Sequence, residues 1–344
     1  MAARHAGWTD GQAARIGSRR EELESEAAGP ATPAGSLAEY VARFRARGVE
    51  CAISADGTEA WVPGARRELQ RLPLACTADV DRAWLRDLLR RPGIWVVSYQ
   101  LDGRQSHPVN CVLYLCRDPS YSIEGMPRNA RRDVRRGQRN FSIRPSRWSE
   151  VAERGFRAEA DTAARHGYRL PSLHEFKRWM GRLQDSARSE VWGAWRGDEL
   201  AAWTSVVKID DWAMINIARS CTAALTLCPN NALLYAATRQ LLVAEKCRYV
   251  TYGLSSVQLS GRDLSMHRFK VRMGYEAVPL HRRFVIHPLL RRLVTSRLMS
   301  WSWDQFAHVF PQSANLQRVA GMARLLSGRD LAPLRWLDEP PGVQ

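Results

Sequence analysis

The second half of the chain carries an order of elements that few folds accommodate. Strand-like runs at 189–196, 199–208 and 212–219 are separated only by Arg196-Gly197-Asp198 and Asp210-Asp211. Turns this short join antiparallel neighbours. A helix is expected at 231–246, a strand at 248–254, a helix through Lys270, then a strand and a second strand closed by His287-Pro288. Strands mixed with crossover helices imply a mixed β-sheet flanked by helices, an α/β (α+β) class. Helices at 148–166 and 172–184 precede the first of these strands. In the first half, Ser36 is a candidate N-cap for a helix through Leu37, Tyr40, Val41 and Phe44 that stops at Gly48. Strands are expected near 49–54 and 59–63, a helix at 79–91, and strands at 94–101 and 108–116.

The helix before Gly274 places one lysine in an apolar stripe. Met266, Phe269 and Met273 follow the spacing of a buried face, and Lys270 projects among them. Gly274 is the expected C-terminal stop. An ammonium held against a core edge loses hydration and favours an anion or a developing negative charge. Spacing alone favours the blander alternative, a stem on apolar surface with its head in water.

The phrase His267-Arg268-Phe269-Lys270-Val271-Arg272-Met273-Gly274-Tyr275 follows the strand Tyr249–Leu254. It resembles the C-terminal motif of Fem-type (FemAB-like) acyltransferases of the GNAT (Gcn5-related acetyltransferase) superfamily. That motif is a Phe-Lys-x-x-Phe/Met-Gly helix after a strand and a short polar loop. The resemblance extends over residues 120–330 and, loosely, 36–119. It implies a GNAT-like fold, two tandem GNAT-like domains, and transfer of an acyl group to an amine. The element order above is that of a GNAT core.

A chain of 344 residues can bury a sizeable core and form two domains. The net charge of +16 is carried by arginine far more than lysine. Arginine suits bidentate phosphate or carboxylate partners, although a GC-rich genome would also enrich it. The seven cysteines form no C-x-x-C pair and have no histidines at zinc spacing, so no metal is expected. They read as reduced and buried. No apolar run approaches a membrane span and the N-terminus lacks a signal-peptide core, so a cytoplasmic protein is expected.

CoA-dependent GNAT proteins hold pyrophosphate on a Q/R-x-x-G-x-G/A loop, whose glycines let backbone N–H groups approach the phosphates. The matching stretch here, Ser220–Asn231, has no glycine, and none occurs from Asp198 to Tyr252. Asn230-Asn231 remains as a possible cap for a helix meeting an anion. Fem-type enzymes also lack this loop, and several use aminoacyl-tRNA as donor.

The segment Met126–Arg139, MPRNARRDVRRGQR, places Arg128, Arg131, Arg132, Arg135, Arg136 and Arg139 at three- and four-residue steps. Such a helix stripe suits phosphates and salt-sensitive binding. A solvated helix face is the equal alternative. Fem-type proteins carry a basic segment here, which favours phosphate or tRNA binding.

Weaker candidates stand beside plainer readings. Asn216 in mid-strand suits orienting a carbonyl or amine, or is a satisfied core amide. Tyr252 and Ser255 lie where a GNAT cleft opens and could relay a proton, with core packing the plainer role for Tyr252. His267, one turn from Lys270, is a candidate base or a surface histidine. Glu124 is a candidate amine ligand or helix cap. Arg272 is assigned to phosphates. No hydrolase, zinc-protease or NTPase motif occurs.

The expected organisation is a disordered tail at 1–35, an N-terminal GNAT-like domain at 36–146, the acyltransferase domain at 147–288, and C-terminal helices at 289–344 packing on the core through Leu289, Leu290, Leu293, Leu298, Trp301 and Trp303. The expected function is amide formation by transfer from aminoacyl-tRNA, a co-substrate and no bound cofactor, to a peptidoglycan precursor, small metabolite or natural-product intermediate. The rivals are an acyl-CoA or acyl-carrier-protein donor, and a non-catalytic RNA- or polyanion-binding module.

Overall fold

The computed structural model describes residues 36–64, 67–103, 109–184, 189–256 and 261–310, together with Leu316, Ala320 and Ala323. The expected tail at 1–35 and most of the chain beyond 310 lie outside the described residues. Ser36 caps α1 (Leu37–Ala46) through a capping box with Glu39, and Gly48 follows at φ +67°. Strands β1 (Ala52–Ile53), β2 (Ala60–Pro63) and β3 (Glu68–Leu72) come next, then α2 (Arg82–Arg90), β4 (Val96–Asp102) and β5 (Cys111–Cys116). The arginine-rich α3 (Arg128–Asn140) leads through β6 (Ser142–Ser146) to α4 (Trp148–Arg154), α5 (Phe156–His166) and α6 (Leu173–Gln184). Then come β7 (Ser189–Arg196), β8 (Glu199–Ile209), β9 (Trp212–Ser220), α7 (Pro229–Arg239), β10 (Tyr249–Ser256), α8 (Gly261–Arg272) and β11 (Glu276–Ile286). Helices α9 (Pro288–Thr295) and α10 (Arg297–Val309) follow.

All eleven strands join one sheet in the order β1-β2-β3-β4-β11-β5-β10-β9-β8-β7-β6. The β7-β8-β9-α7-β10-α8-β11 succession is the GNAT order expected above. Two neighbouring pairs are parallel, β3 with β4 and β9 with β10, and the rest are antiparallel. The order is therefore nearly symmetric about the β11–β5 contact. Each half has a parallel pair joined through a helix, α2 in one and α7 in the other. The halves differ where it matters for chemistry: β10 and β11 are joined through α8, whereas only 103–110 separate β4 from β5.

The two closing strands expected after Gly274 are one strand. β11 runs eleven residues, pairing with β5 through Glu276–Leu280 and with β4 through Leu280–Ile286. Arg282 fastens it to β3 by an ion pair with Glu68 at 2.7 Å. Strand β3 was not expected, because Glu68 and Arg71 interrupt its apolar run, yet both are buried in the sheet. The helix expected at 148–166 is two helices parted at Gly155, where a Cβ would lie 2.7 Å from the Val151 carbonyl and 3.1 Å from the Trp203 ring nitrogen. The helix expected at 231–246 begins at Pro229 and finishes as a π turn over Gln240–Ala244. Leu289 and Trp301, expected to face the core, are 80% and 55% exposed; Ala307 supplies the buried side of α10.

Helix α3 rests on α7 through Ala130, Val134 and Gly137. A Cβ on Gly137 would collide with the Cys228 carbonyl and lie 2.7 Å from the Ala232 Cβ. Backbone cannot yield as a flexible side chain does. Gly137→Ala is therefore expected to cost about 1–3 kcal/mol in chemical denaturation, although alanine is the better helix former. An unchanged midpoint would show that α3 does not sit this close to α7.

Candidate active site and basic surface

Strands β9 and β10 pair over three residues only, Trp212–Met214 with Tyr249–Thr251. β9 then continues to Ser220 and β10 to Ser256 without pairing each other. Two irregularities accompany the parting. The β8–β9 register shifts between Ser205 and Val206, and β10 shifts against β5 between Thr251 and Leu254, where Gly253 has φ +70°. The left-handed backbone at Gly253 is one that glycine adopts at little cost.

Lys270 lies beside this opening. It is 7% exposed, and its Nζ donates to the Tyr252 carbonyl at 2.9 Å. The same nitrogen stands 4.2 Å from the centroid of the Tyr114 ring and 4.7 Å from that of Tyr252. Among the described residues no carboxylate lies within ion-pair distance of it. Burial pushes its pKa down to about 8. The ammonium is thus largely stripped of water and held by two ring faces and one carbonyl, with no counter-charge among the described residues.

The buried side of α8 differs from the expected stripe. Met273 is fully buried, but Met266 is 37% exposed. His267 is buried rather than on the surface, and its Nδ1 is hydrogen-bonded to the Tyr114 hydroxyl at 2.9 Å. Lys270, Tyr252 and His267 are therefore brought together, with Tyr114 of β5 linking them. Sequence reasoning missed Tyr114, which sits inside the uniformly apolar Cys111–Cys116 run. Burial raises the Tyr252 phenol to about 12, with Arg219 pulling the other way. Tyr252 is therefore a neutral hydroxyl at ordinary pH. Arg219, also missed, is ion-paired to the buried Glu159 and stacks on Tyr168 at 5.3 Å.

The weaker candidates divide. Asn216 is exposed at the β8–β9 irregularity and is not a core amide. Ser255 is half-buried on β10. Glu124 is exposed and 4.0 Å from Arg135, away from the Lys270 contacts. It does not cap α3, whose N-cap Pro127 makes no side-chain bond. Arg272 points to the outer side of α8, in a groove of about 370 Å³ that also takes in Arg268, Asn231 and Asp133.

Arg128, Arg131, Arg132, Arg135 and Arg139 line a second, open groove of about 610 Å³ along α3. Arg136 is exposed outside that lining, so the stripe holds five of the six. Asp133 takes Arg132 at 3.1 Å, and Glu124 lies 4.0 Å from Arg135. The stripe spans about 17 Å of helix.

All seven cysteines are free. Cys51, Cys111, Cys116 and Cys221 are buried; Cys76, Cys228 and Cys247, expected to be buried, are partly accessible. Burial pushes Cys111 up to about 12 and Cys116 to about 11, which makes them poor nucleophiles. Among the described residues no group of three His, Cys, Asp or Glu is placed to hold a metal, and no helix is long and apolar enough to cross a membrane.

No family model matches the chain, and no curated protein matches it by sequence. Solved structures do. FemX aligns with a TM-score of 0.51 at 10% identity, covering 76% of this chain and 95% of that one. L-PGS from Bacillus licheniformis aligns at 0.44 and 12% identity, covering 70% and 84%. A tandem GNAT protein from the clavulanic acid biosynthesis pathway aligns at 0.40 and 14%, covering 67% and 79%. Only the first exceeds 0.5, and the conclusion drawn from it concerns the fold: this chain has a fold similar to that of FemX.

Proposed function

We propose that this chain is an N-acyltransferase that forms an amide by moving an aminoacyl group from aminoacyl-tRNA to an amine. The observation that carries this reading is the buried Lys270 ammonium, without a carboxylate partner among the described residues, where β9 and β10 part. An acceptor nitrogen attacks the ester carbonyl, and the carbonyl oxygen becomes an oxyanion. Lys270 stabilises that charge in a site from which water is largely excluded. The C–O bond to the ribose then breaks. The proton lost by nitrogen goes to the departing oxygen through the neutral Tyr252 hydroxyl as relay. Otherwise the protein positions two substrates. The basic groove on α3 supports a polyanionic donor, and the Fem-like fold supports acyl transfer. The acceptor is an amine of a peptidoglycan precursor, small metabolite or natural-product intermediate.

Titration with bulk tRNA and with CoA at low and moderate salt tests the donor. Salt-sensitive binding that prefers charged over deacylated tRNA is expected. CoA binding without that preference would transfer the reading to a thioester donor. Binding of tRNA that ignores its charging state, with an unaltered function in Lys270→Ala, would reduce the chain to a polyanion-binding module.

The pH profile separates two roles for Lys270. As an oxyanion-stabilising cation it must be protonated, so kcat falls as pH rises through about 8. As a general base it would work only when neutral, and kcat would rise through the same range. The falling limb is expected, and it should vanish from the residual activity of Lys270→Ala.

A further inference from the structure

The end of β9 is held away from β10 by α5. The Thr162 hydroxyl accepts from the Ser220 backbone N–H at 3.1 Å, and Arg165 donates to the Ser220 carbonyl at 2.8 Å. Arg219 enters the gap from this side. It is opposite Trp203 in the β8–β9 register, on the sheet face covered by α4, α5 and α6. Tyr252 packs on the other face, with α7 and α8. Paired strands would put a layer of backbone between the two faces. Here the Tyr252 phenol feels the Arg219 charge, as expected where the strands between them do not pair. The guanidinium is prepared by its contacts and not used up by them. Glu159, 2% exposed, takes Nε, the Ala218 carbonyl takes Nη1 at 3.0 Å, and the Tyr168 ring lies 5.3 Å away. The second oxygen of Glu159 accepts from the Tyr168 hydroxyl at 3.0 Å. These bonds use two of the five N–H groups of a guanidinium. Among the described residues Nη2 has no partner, and the side chain keeps 20% exposure. The buried Arg71 shows the contrast, with both Nη atoms taken by the carbonyls of Ala78, Cys76 and Gln100. The free Nη edge of Arg219 suits a carboxylate held by two parallel bonds. Glu159 already cancels the guanidinium charge, so one carboxylate is better tolerated there than a doubly charged phosphate.

We propose that Arg219, positioned by Glu159, binds a substrate carboxylate on the α5 side of the gap, and that the acceptor is therefore an amine that also bears a carboxylate. The naming of this substrate as the acceptor rests on the acyltransferase reading; the carboxylate subsite does not.

The test uses the full chain with a mixture of amino acids and dipeptides, set against the same compounds as C-terminal amides, and reads binding by saturation-transfer NMR. The parent is expected to bind the acids at least about tenfold better than the amides. Arg219→Gln is expected to bring the two within about twofold of each other. That variant leaves Glu159 buried without its cation, so Arg219→Gln with Glu159→Gln, which removes both charges, repeats the measurement. Circular dichroism confirms folding. Arg219→Lys keeps the charge and loses the fork, and its preference for acids is expected to fall about threefold. A purely structural ion pair would change stability and leave the acid-to-amide ratio alone. No preference in the parent, or the parental preference in the folded double variant, would overturn the subsite. Supplying bulk charged tRNA or acetyl-CoA separates the two readings. Amide product from the acids, with acceptor KM raised in Arg219→Gln and kcat less affected, upholds both. Acid binding that depends on Arg219, with no product from either donor, would keep the subsite and remove the acyltransferase reading. Product formed equally well from acids and amides would keep acyl transfer and overturn the carboxylate assignment.

Discussion

Lys270→Met is expected to lower turnover by about two to three orders of magnitude while leaving the protein folded and within about 1 kcal/mol of its parent's stability at pH 7. The first half follows, on the proposed mechanism, from loss of a preorganised cation beside the oxyanion. The second follows from opposing terms. Burial lowers the lysine from its ordinary 10.5 to about 8, and at about 1.4 kcal/mol per pH unit holding the ammonium there costs about 3 kcal/mol. The two ring faces offset roughly 0.5–2 kcal/mol each, and the bond to the Tyr252 carbonyl adds about 1 kcal/mol. Methionine fills similar space without a charge. The pH dependence supplies a sharper check. Between pH 8 and 10.5 the unfolded chain holds a proton on Lys270 that the folded chain has released, so parental stability rises across that window. Denaturant titrations at pH 7.5 and 10 should show the difference between parent and Lys270→Met moving toward the parent. A constant difference would mean that Lys270 titrates normally, and a stable variant with full turnover would remove it from the chemistry.

Lys208→Ala is expected to do the reverse, destabilising the chain by about 3–5 kcal/mol. Lys208 on β8 is 1% exposed and lies 2.6 Å from Glu190 of β7 and 2.7 Å from Glu245, just beyond the π turn that closes α7. Burial alone would lower its pKa; the two carboxylates outweigh that and raise it. Removing the cation strands two mostly buried carboxylates side by side. It also frees the end of α7, which otherwise is clamped to the sheet. Urea denaturation monitored by tryptophan fluorescence measures the loss. A change below about 1 kcal/mol would show that water already screens these carboxylates. Lys208→Met with Glu190→Gln and Glu245→Gln should recover much of the loss, because it leaves no unpaired charge. The chain thus has two buried lysines in opposite settings: one paired with two carboxylates, the other without a carboxylate partner among the described residues, as the proposed role requires.

Sequence reading separated these lysines imperfectly. Lys270 was legible because its helix has an apolar spacing and a glycine stop in one short segment, and because its neighbours resemble a family pattern. Lys208 sits in a strand with no local mark, and its partners Glu190 and Glu245 are supplied by other elements. His267 was misplaced for a related reason. Helical periodicity predicts which residues share a face, but not which arc meets the core when a polar histidine can be satisfied there. The partner that satisfies it, Tyr114, is 153 residues away. Arg268 and Phe269 lay inside the quoted motif, yet their role as groove lining depends on α3 approaching through Gly137.

By itself the sequence determined the local grammar of this protein: the capped α1, the three hairpin-linked strands, the helix–strand–helix succession, the arginine stripe and the missing glycine loop. Each is written in the spacing of neighbouring residues. The tertiary structure decided that β11 serves both halves, that β9 and β10 part after Met214 and Thr251, that Lys270 has rings in place of a counter-ion, and that five of six stripe arginines share one groove. These depend on register and packing between segments far apart in the chain. Such contacts are selected by the free energy of the whole sheet and its covering helices, which no local window of sequence contains.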